Sequence, residues 1–578
     1  MHKSSKKFYF IILFLIAYSI YDNINWSNIA VWQVDEATTM WLALTKSVED
    51  NPIGLISSVG IPNPNGMTLL GKFFNYLPSL WWVSFFLSNF QSFLIVILGF
   101  VFFKKDKLFF LFITPILFSV AIKSNSAIFS NQFVLTSLNI IYFIFLALYL
   151  NKPSSFRLVF HLLPIIFAPA LYLGGAPNGL AFLICSLFAF YLRPFKEKPG
   201  KLFISFCIGV ILLIPLLKFI WIPYFSYFFN YVTLHESTDI NIEEKSRLIL
   251  NAILSFPYWS TLNAAGNLSG TFYHNGGEII IYPYWNLIYN PEEYIKANKY
   301  FHGILSDNTI LFLKFSSLLL IIQSILSSSI LIFSLILSYL KHKTFSNIFI
   351  EKDKKIIQFL LLALLFTFLS FVIGVGLGAK NWLIGVRPDQ QANFFPIFII
   401  IWFMIPFYLS INQKFDSILK KFTVILCACY LFSNIYSGYK ISDEHLKYNG
   451  VIFTSADEPL IHKQNAIAYI ANDWKLKSNS QNIRVSYYLS GGRWDYINSF
   501  GEKYPGIYQG IYTMGREFDY EFLHSFKLLN SQEGIQHRSH KNSKYIICYD
   551  FREPYPINND LISEVKKFGR LEVIVLKN

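Results

Sequence analysis

Charge is the scarcest ingredient of this chain. Only 15% of its 578 residues are Asp, Glu, Lys or Arg, where a soluble globular protein carries about a quarter. With 54% hydrophobic residues and a mean hydropathy of +0.42, that shortage excludes an ordinary soluble domain and implies a polytopic membrane protein. Cysteine is scarce too. Cys185, Cys207, Cys427 and Cys429 lie in apolar runs and Cys548 stands alone, so neither a disulfide framework nor a spaced metal cluster follows. Acids are fewer than bases, 35 against 49, for a net charge of +14. That excess is not spread as in a nucleic-acid binder. About twenty of the bases sit in the N-terminus and the short loops between apolar segments, beside about five acids, the signature of loops retained on the cytoplasmic side. No basic groove with interleaved aromatics stands out, so nucleic acid is not an expected partner. Met1 to Ile20 reads like the n- and h-regions of a signal peptide, but an A-x-A-like cleavage site is lacking, which leaves an uncleaved first span. Internal repeats and low-complexity linkers are lacking as well.

What is present is a series of apolar runs, and crossing the hydrocarbon core takes roughly 20 such residues in a helix. Spans are expected near 8–26, 79–103, 108–123, 131–150, 157–173, 178–193, 202–221, 309–340, 356–378, 394–411 and 421–438. Eleven spans with basic loops alternating give a cytoplasmic N-terminus and an extracytoplasmic C-terminus. On this reading residues 1–440 are a multi-span membrane domain, with outer loops over 27–78 and 222–308. The long outer loop carries Trp259, Tyr273, Tyr282, Tyr284 and Trp285, rings suited to the membrane–water boundary or to stacking on a sugar. Residues 441–578 change character, with about seventeen bases against sixteen acids. Helical patterns over 466–474 and 518–529 alternate with strand patterns over 483–489, 544–549 and 571–576. A small extracytoplasmic α/β domain is expected.

The chain is organised around Trp32-Gln33-Val34-Asp35-Glu36-Ala37, immediately outside the first span. The plain reading of Asp35 and Glu36 is a helix start, Asp35 as cap and Glu36 favourably placed against the helix dipole. Two adjacent carboxylates beside the hydrocarbon boundary are costly, however, and such groups tend to be functional. They also stand where a lipid-borne substrate presents its head group. Ile61-Pro62-Asn63-Pro64-Asn65-Gly66 follows, entering the second span.

These two motifs, in this order, resemble the N-terminal pattern of the GT-C glycosyltransferases, a class that includes the lipid A aminoarabinose transferases and the protein mannosyltransferases. The resemblance covers the order of elements to about residue 411. It implies a polytopic GT-C-like fold and transfer of a hexosyl or pentosyl group, with inversion, from a polyprenyl-phosphate-linked donor to a lipid, glycan or protein acceptor on the extracytoplasmic face. Asp35, with Glu36, is then the catalytic carboxylate that activates the acceptor hydroxyl, a role typically worth 10²–10⁴-fold. The departing lipid phosphate calls for a fixed cation. Arg387, in Gly385-Val386-Arg387-Pro388-Asp389, is the first candidate because it can clamp phosphate oxygens with two parallel bonds. Its plain alternative is an interfacial anchor or an ion pair with Asp389. Lys380 is the second candidate, and Asn63 completes the expected substrate contacts.

The pattern also has gaps. The outer loop after the third span, Lys123-Ser124-Asn125-Ser126 to Gln132, has no carboxylate where many GT-C enzymes carry one, so a divalent metal site is unsupported. Asn65 stands where a second Pro is common. Tyr172-Leu173-Gly174-Gly175 lacks the Lys of the Lys-Gly turn that some relatives place there. His274 and Glu278 have a helical metal spacing, but Asn275-Gly276-Gly277 between them argues against a helix. Gly491-Gly492-Arg493-Trp494-Asp495 reads as a turn, not a phosphate cradle. Two other classes remain. A transporter or flippase for a lipid-linked saccharide would place ionisable or helix-breaking residues mid-membrane and show paired repeats, and the sequence displays neither plainly. A non-catalytic membrane assembly protein is the other. The Lys/Ile/Asn-rich composition suggests a bacterial protein, and the expected location is then the inner (plasma) membrane of the cell envelope, another membrane of the same sidedness being the alternative. The sugar, the acceptor, the metal requirement and the oligomeric state are not written in the sequence.

Overall fold

The apolar runs become helices in the computed structural model, which describes residues 2–30, 32, 34–47, 53–56, 62–103, 108–225, 306–342, 354–377, 395–408, 413–447, 459–489, 495–497, 503–505, 507–530, 543–549, 558–569 and 571–577, with isolated positions between 243 and 253. In chain order the helices are α1 (His2–Asn28), α2 (Val34–Thr45), α3 (Gly66–Phe74), α4 (Leu80–Phe103), α5 (Leu108–Leu117), α6 (Val120–Ser126), α7 (Asn131–Asn151), α8 (Ser155–Leu171), α9 (Ala176–Leu192) and α10 (Pro199–Leu216). They continue with α11 (Asp307–His342), α12 (Lys354–Leu377), α13 (Phe395–Tyr408), α14 (Gln413–Lys447), α15 (Leu460–Lys477) and α16 (Ile507–Phe526). Among the described residues, eight helical segments are long and apolar enough to cross a membrane, in α1, α4, α7, α9, α10, α11, α12 and α14, and α8 and α13 are shorter apolar helices. The chain is an integral membrane protein. Phe10, Leu13, Phe203, Ile211 and Leu340 point out of the bundle, as lipid-facing side chains must, while Ile113, Leu146, Phe182, Phe366 and Ile401 fill its centre.

Ten of the eleven expected spans fall on those ten helices. The eleventh, 108–123, does not form one helix. It breaks into α5 and α6 at Ser119, whose backbone is extended (φ −64°, ψ 123°). Polar groups released by a break inside a bundle need new partners. Here α14 supplies them: Val120 N donates to Asn434 Oδ1 at 3.0 Å, and Ser119 Oγ lies 3.4 Å from the Tyr430 hydroxyl. Two of the in-helix prolines are met in the same way. A proline has no N–H for the carbonyl four residues back. Pro115 thereby leaves the Leu111 carbonyl to accept from the Cys427 thiol at 3.0 Å. Pro406 leaves the Trp402 carbonyl to Gln323 Nε2 at 2.9 Å and to the Ser327 hydroxyl. Helix breakers are therefore built into this bundle.

Basic side chains gather at one end of the bundle, where α7 and α9 end and α8 and α12 begin. Arg157 donates to the Leu148 and Lys152 carbonyls, Lys355 donates to the Asn151 carbonyl at 3.3 Å, and Arg193 Nε donates to Gln358 Oε1 at 3.3 Å. Each favours the carbonyl-rich end of a helix.

The chain after α14 lies against the opposite end. That helix does not stop where the composition changes at 441 but runs on to Lys447. Its polar extension is used: the Glu444 carboxylate accepts from Ser306 N at 2.8 Å and from the Thr309 hydroxyl at 2.8 Å, closing the start of α11. The strands are β1 (Ile53–Ile56) and β2 (Pro62–Pro64) ahead of α3 and, in the tail, β3 (Asn482–Ile483), β4 (Val485–Leu489), β5 (Asp495–Ile497), β6 (Lys503–Pro505), β7 (Leu529–Asn530), β8 (Tyr545–Tyr549), β9 (Ile562–Phe568) and β10 (Leu571–Leu576). Of these, β4, β8, β9 and β10 form a sheet of order β4-β8-β10-β9. The β4–β8 pair is parallel, with Val485 opposite Tyr545, and the other pairs are antiparallel. α15 and α16 cover one face through Ala466, Ile470, Phe518 and Phe522, against Val485, Ile547 and Val573. The strand Ile562–Phe568 lies at the sheet edge with Lys566 and Lys567 turned outward, charges that discourage further pairing. The helix expected over 518–529 begins earlier, at Ile507, and ends at Phe526. Lys527 takes a positive φ of 58°, and Leu529–Asn530 becomes a short strand, β7, paired with β3 (Asn482–Ile483).

Candidate functional site

The acidic motif is delivered by α2, which starts at Val34, so Asp35 lies in the first helical turn and not before it. Its entry is pinned by Trp32, fully buried, whose indole donates to Ser84 Oγ on α4 at 3.1 Å. One stripe of the helix, Ala37, Met40 and Ala43, is buried, the spacing of a helix that packs on one face. Its far end is closed from α3. Lys72 Nζ donates to the Ala43 carbonyl at 3.2 Å and also to the Lys46 carbonyl, and Asn75 Nδ2 donates to the Ala43 carbonyl at 3.1 Å. These ties leave Glu36 half-buried at the start of the helix.

The second motif stitches the loop to the bundle. β1 (Ile53–Ile56) and β2 (Pro62–Pro64) pair antiparallel, Ile53 opposite Pro64. Asn63 Oδ1 accepts from Leu173 N at 3.3 Å, and Asn65 Nδ2 donates to the Phe219 carbonyl at 3.3 Å, just beyond α10. Gly66 opens α3 against the end of α8, where an added Cβ would sit 2.2 Å from the Ala170 carbonyl oxygen. Neither backbone can give much. Gly66→Ala is therefore expected to destabilise the protein by about 1–3 kcal/mol, read as a lowered unfolding midpoint, and a wild-type midpoint would show that α3 and α8 are not in this contact.

Of the residues the sequence singles out, the structure thus places Asp35, Glu36 and Asn63 in one loop system at the tail end of the bundle, with the Asp35 side chain itself outside the described set. Lys380 and Arg387 lie outside the described residues, as do His274, Glu278, Trp259, Tyr273, Tyr282, Tyr284 and Trp285. The Lys123 segment is a correction. It is not a surface loop: residues 120–126 are helical, and Lys123 is buried with 1% of its area exposed. Its Nζ donates to Ser19 Oγ at 3.1 Å, to Ser92 Oγ at 3.3 Å and to Asn23 Oδ1, with the Asp22 carboxylate 3.6 Å away. Asn23 in turn donates to Asn89 Oδ1 at 3.0 Å. Ser19 and Asn23 are four residues apart and Asn89 and Ser92 three apart, a same-face polar stripe inside apolar spans. That spacing was the available signal for this node. The buried pair also corrects the reading that ionisable groups are lacking inside the bundle.

The sequence also did not show what covers α2. α16 of the tail lies along it, with the Arg516 guanidinium 5.3 Å from the Trp41 ring centre. Tyr520 donates to Asn75 Oδ1 at 3.1 Å, and His524 Nε2 meets the Asn75 carbonyl at 2.7 Å. On the neighbouring row of α16, Glu521 Oε1 accepts from Leu80 N, the start of α4, at 2.6 Å. Burial pushes the Glu521 carboxyl up to about 7, against the hydrogen bonds from Ser525 and Leu80 that favour its charged form. Burial also pushes His524 down.

No family model matches the sequence, and no curated relative does. Among solved structures the chain is similar to the crystal structure of ArnT from Cupriavidus metallidurans in the apo state, at 9% identity over 97% of both chains with a TM-score of 0.45. ArnT is an aminoarabinose transferase of the GT-C class, the class that the acidic and Pro-Asn motifs resemble. A likeness of this degree assigns no residue and no substrate.

Proposed function

We propose that this protein transfers a sugar from a polyprenyl-phosphate-linked donor to an acceptor hydroxyl on the extracytoplasmic face. The observation that carries the reading is the acidic helix. α2 is pinned at both ends, at the end of the bundle opposite the basic side chains. By the charge rule that basic end is cytoplasmic. Asp35 takes the proton of the acceptor hydroxyl as its oxygen bonds to the anomeric carbon, and the bond from that carbon to the phosphate oxygen breaks with its electron pair leaving on the lipid phosphate. Arg387, or Lys380 as the second candidate, neutralises that departing charge. Asn63 holds the loop against α8, and Glu36 stands beside the base. The tie of Asn63 to Leu173 supports a positioning role for it.

A transporter for a lipid-linked saccharide draws support from one observation, the Lys123–Asp22 pair among helices broken by prolines. Those groups are satisfied by one another, however, where a transport site keeps its polar groups open to a cargo. The deciding experiment supplies purified protein in lipid with a panel of polyprenyl-phosphate sugars and candidate acceptors and measures release of polyprenyl phosphate. Release is the expected result. Movement of the lipid-linked sugar between leaflets without release would replace this reading with the transporter.

A further inference from the structure

We propose that one face of α16 is the seat that holds the acidic helix in register with α4, and that Glu521 is its positioning residue, acting as a neutral carboxylic acid. The proposal rests on the reading that α2 carries the catalytic carboxylates. Without that reading the seat is still a joint but has nothing to align.

The geometry is a continuous chain of contacts. Arg516, Tyr520 and His524 recur every four residues and so share a face. Arg516 covers Trp41 of α2. Tyr520 and His524 hold Asn75 by its side chain and its carbonyl, and Asn75 Nδ2 holds the Ala43 carbonyl of α2. The neighbouring row, Glu517, Glu521 and Ser525, reaches the other partner. Glu521 Oε1 takes the Leu80 amide that opens α4, and Ser525 Oγ lies 2.5 Å from Glu521 Oε2 and 2.9 Å from the Pro78 carbonyl.

That last pair of distances sets the protonation. The Ser525 hydroxyl has one hydrogen and two acceptors beside it if Glu521 is ionised, so one contact goes unmade. With a proton on Oε2, Glu521 donates to Ser525, Ser525 donates to Pro78, and Leu80 donates to Oε1, so all three contacts are made. Gln464 of α15 also favours the charged form, and its buried Nε2 has no hydrogen-bond partner among the described residues. The charged groups around it act as follows. On its own helix, Glu517 repels a charged Glu521 and is tied to Lys463 of α15, while Asp519 accepts from Tyr487 and Asn530. Arg516 is engaged with Trp41, Glu36 lies on α2 and His462 on α15, and the first two turns of α4 bring no charge. His524, whose protonated form burial disfavours, contributes a pH dependence of opposite sign.

The sign follows. Glu521 holds its proton up to about 7 in the folded chain and to 4.5 ordinarily, so its contribution is complete below 4.5 and is lost as pH rises through 7. The test compares wild type, Glu521→Gln, Glu521→Ala and Tyr520→Phe as full-length protein in lipid. It measures amide exchange across residues 34–45 and polyprenyl-phosphate release from pH 5 to 8. Gln can give and accept the same two bonds. It is expected to keep wild-type protection of 34–45 and to lack the decline in turnover that wild type shows as pH rises through 7. Glu521→Ala and Tyr520→Phe are expected to exchange 34–45 at least tenfold faster while α7 is unaffected. Unchanged exchange in Glu521→Ala, or a Gln variant as impaired as the Ala variant, overturns the proposal. Faster exchange in Glu521→Ala beside full activity in Asp35→Asn leaves the seat standing and removes the catalytic reading. The reverse pattern removes the seat alone.

Discussion

Asp35→Asn is expected to lower polyprenyl-phosphate release by about 10²–10⁴-fold, the usual worth of a positioned base. The substitution is chosen so that a lost fold cannot imitate lost chemistry. Asp35 lies inside the first turn and not at the cap, and Asn there has nearly the same shape and helix propensity as Asp, so α2 keeps its start. The charge removed from its first turn contributes about 0.3–1 kcal/mol through the helix dipole. The ties that hold the helix, Trp32 to Ser84 and Lys72 and Asn75 to Ala43, do not involve the carboxylate. Donor binding measured separately is expected to stay within a few fold, because the base acts on the acceptor. Glu36→Gln is the companion variant. A large loss there with Asp35→Asn unaffected would move the base by one residue. Wild-type turnover in both would make the acidic pair a helix-start device and nothing more.

The second large effect belongs to the tail. Lys463→Ala is expected to cost about 3–5 kcal/mol of stability, the range for removing one partner of a buried ion pair. Lys463 Nζ and Glu517 Oε2 are 2.6 Å apart, with each side chain 1% exposed. Burial already pushes the Glu517 carboxyl up, and Lys463 opposes that shift. Remove the lysine and Glu517 must either stay charged in an apolar setting or take a proton. The variant's stability is therefore expected to fall with rising pH more steeply than wild type, because its folded state then holds a proton that the unfolded chain has released. The pair itself adds little: Glu517 Oε1 has no hydrogen-bond partner among the described residues. Lys463→Met combined with Glu517→Leu is accordingly expected to recover most of the loss. Unfolding midpoints of the full-length protein in detergent across pH 5 to 8 decide it. A single-variant cost below about 1 kcal/mol would mean that water reaches the pair.

Local pattern revealed some of this molecule and had to miss the rest. Leu80 to Phe103 and Asn131 to Asn151 are legible because an apolar run of that length has few other stable states. Leu571 to Leu576 is legible because β-branched residues dominate it. Its partner Ile562–Phe568 was missed because an exposed edge strand, Ile-Ser-Glu-Val-Lys-Lys-Phe, has no apolar face to announce it. The helix end at Phe526 was overrun for a related reason. Leu528 continues the helical spacing, yet the backbone reverses at Lys527 and the chain turns into β7. Lys123 was placed in water because a lysine between two apolar runs is ordinarily exposed. Only the polar stripes of α1 and α4 make its burial tolerable.

By itself, then, the sequence determined which stretches are apolar enough to cross a membrane, which ends of them are basic, and that two carboxylates stand just beyond the first run. Those are properties of neighbouring residues, set by hydrophobic transfer and charge within one segment. The tertiary structure alone decided that α5 and α6 break where α14 can satisfy them, that the Trp402 carbonyl freed by Pro406 meets Gln323, and that α16 closes over α2. Each of those contacts joins residues far apart in the chain. Each exists because a buried donor or acceptor must be paired, and no local pattern names the partner.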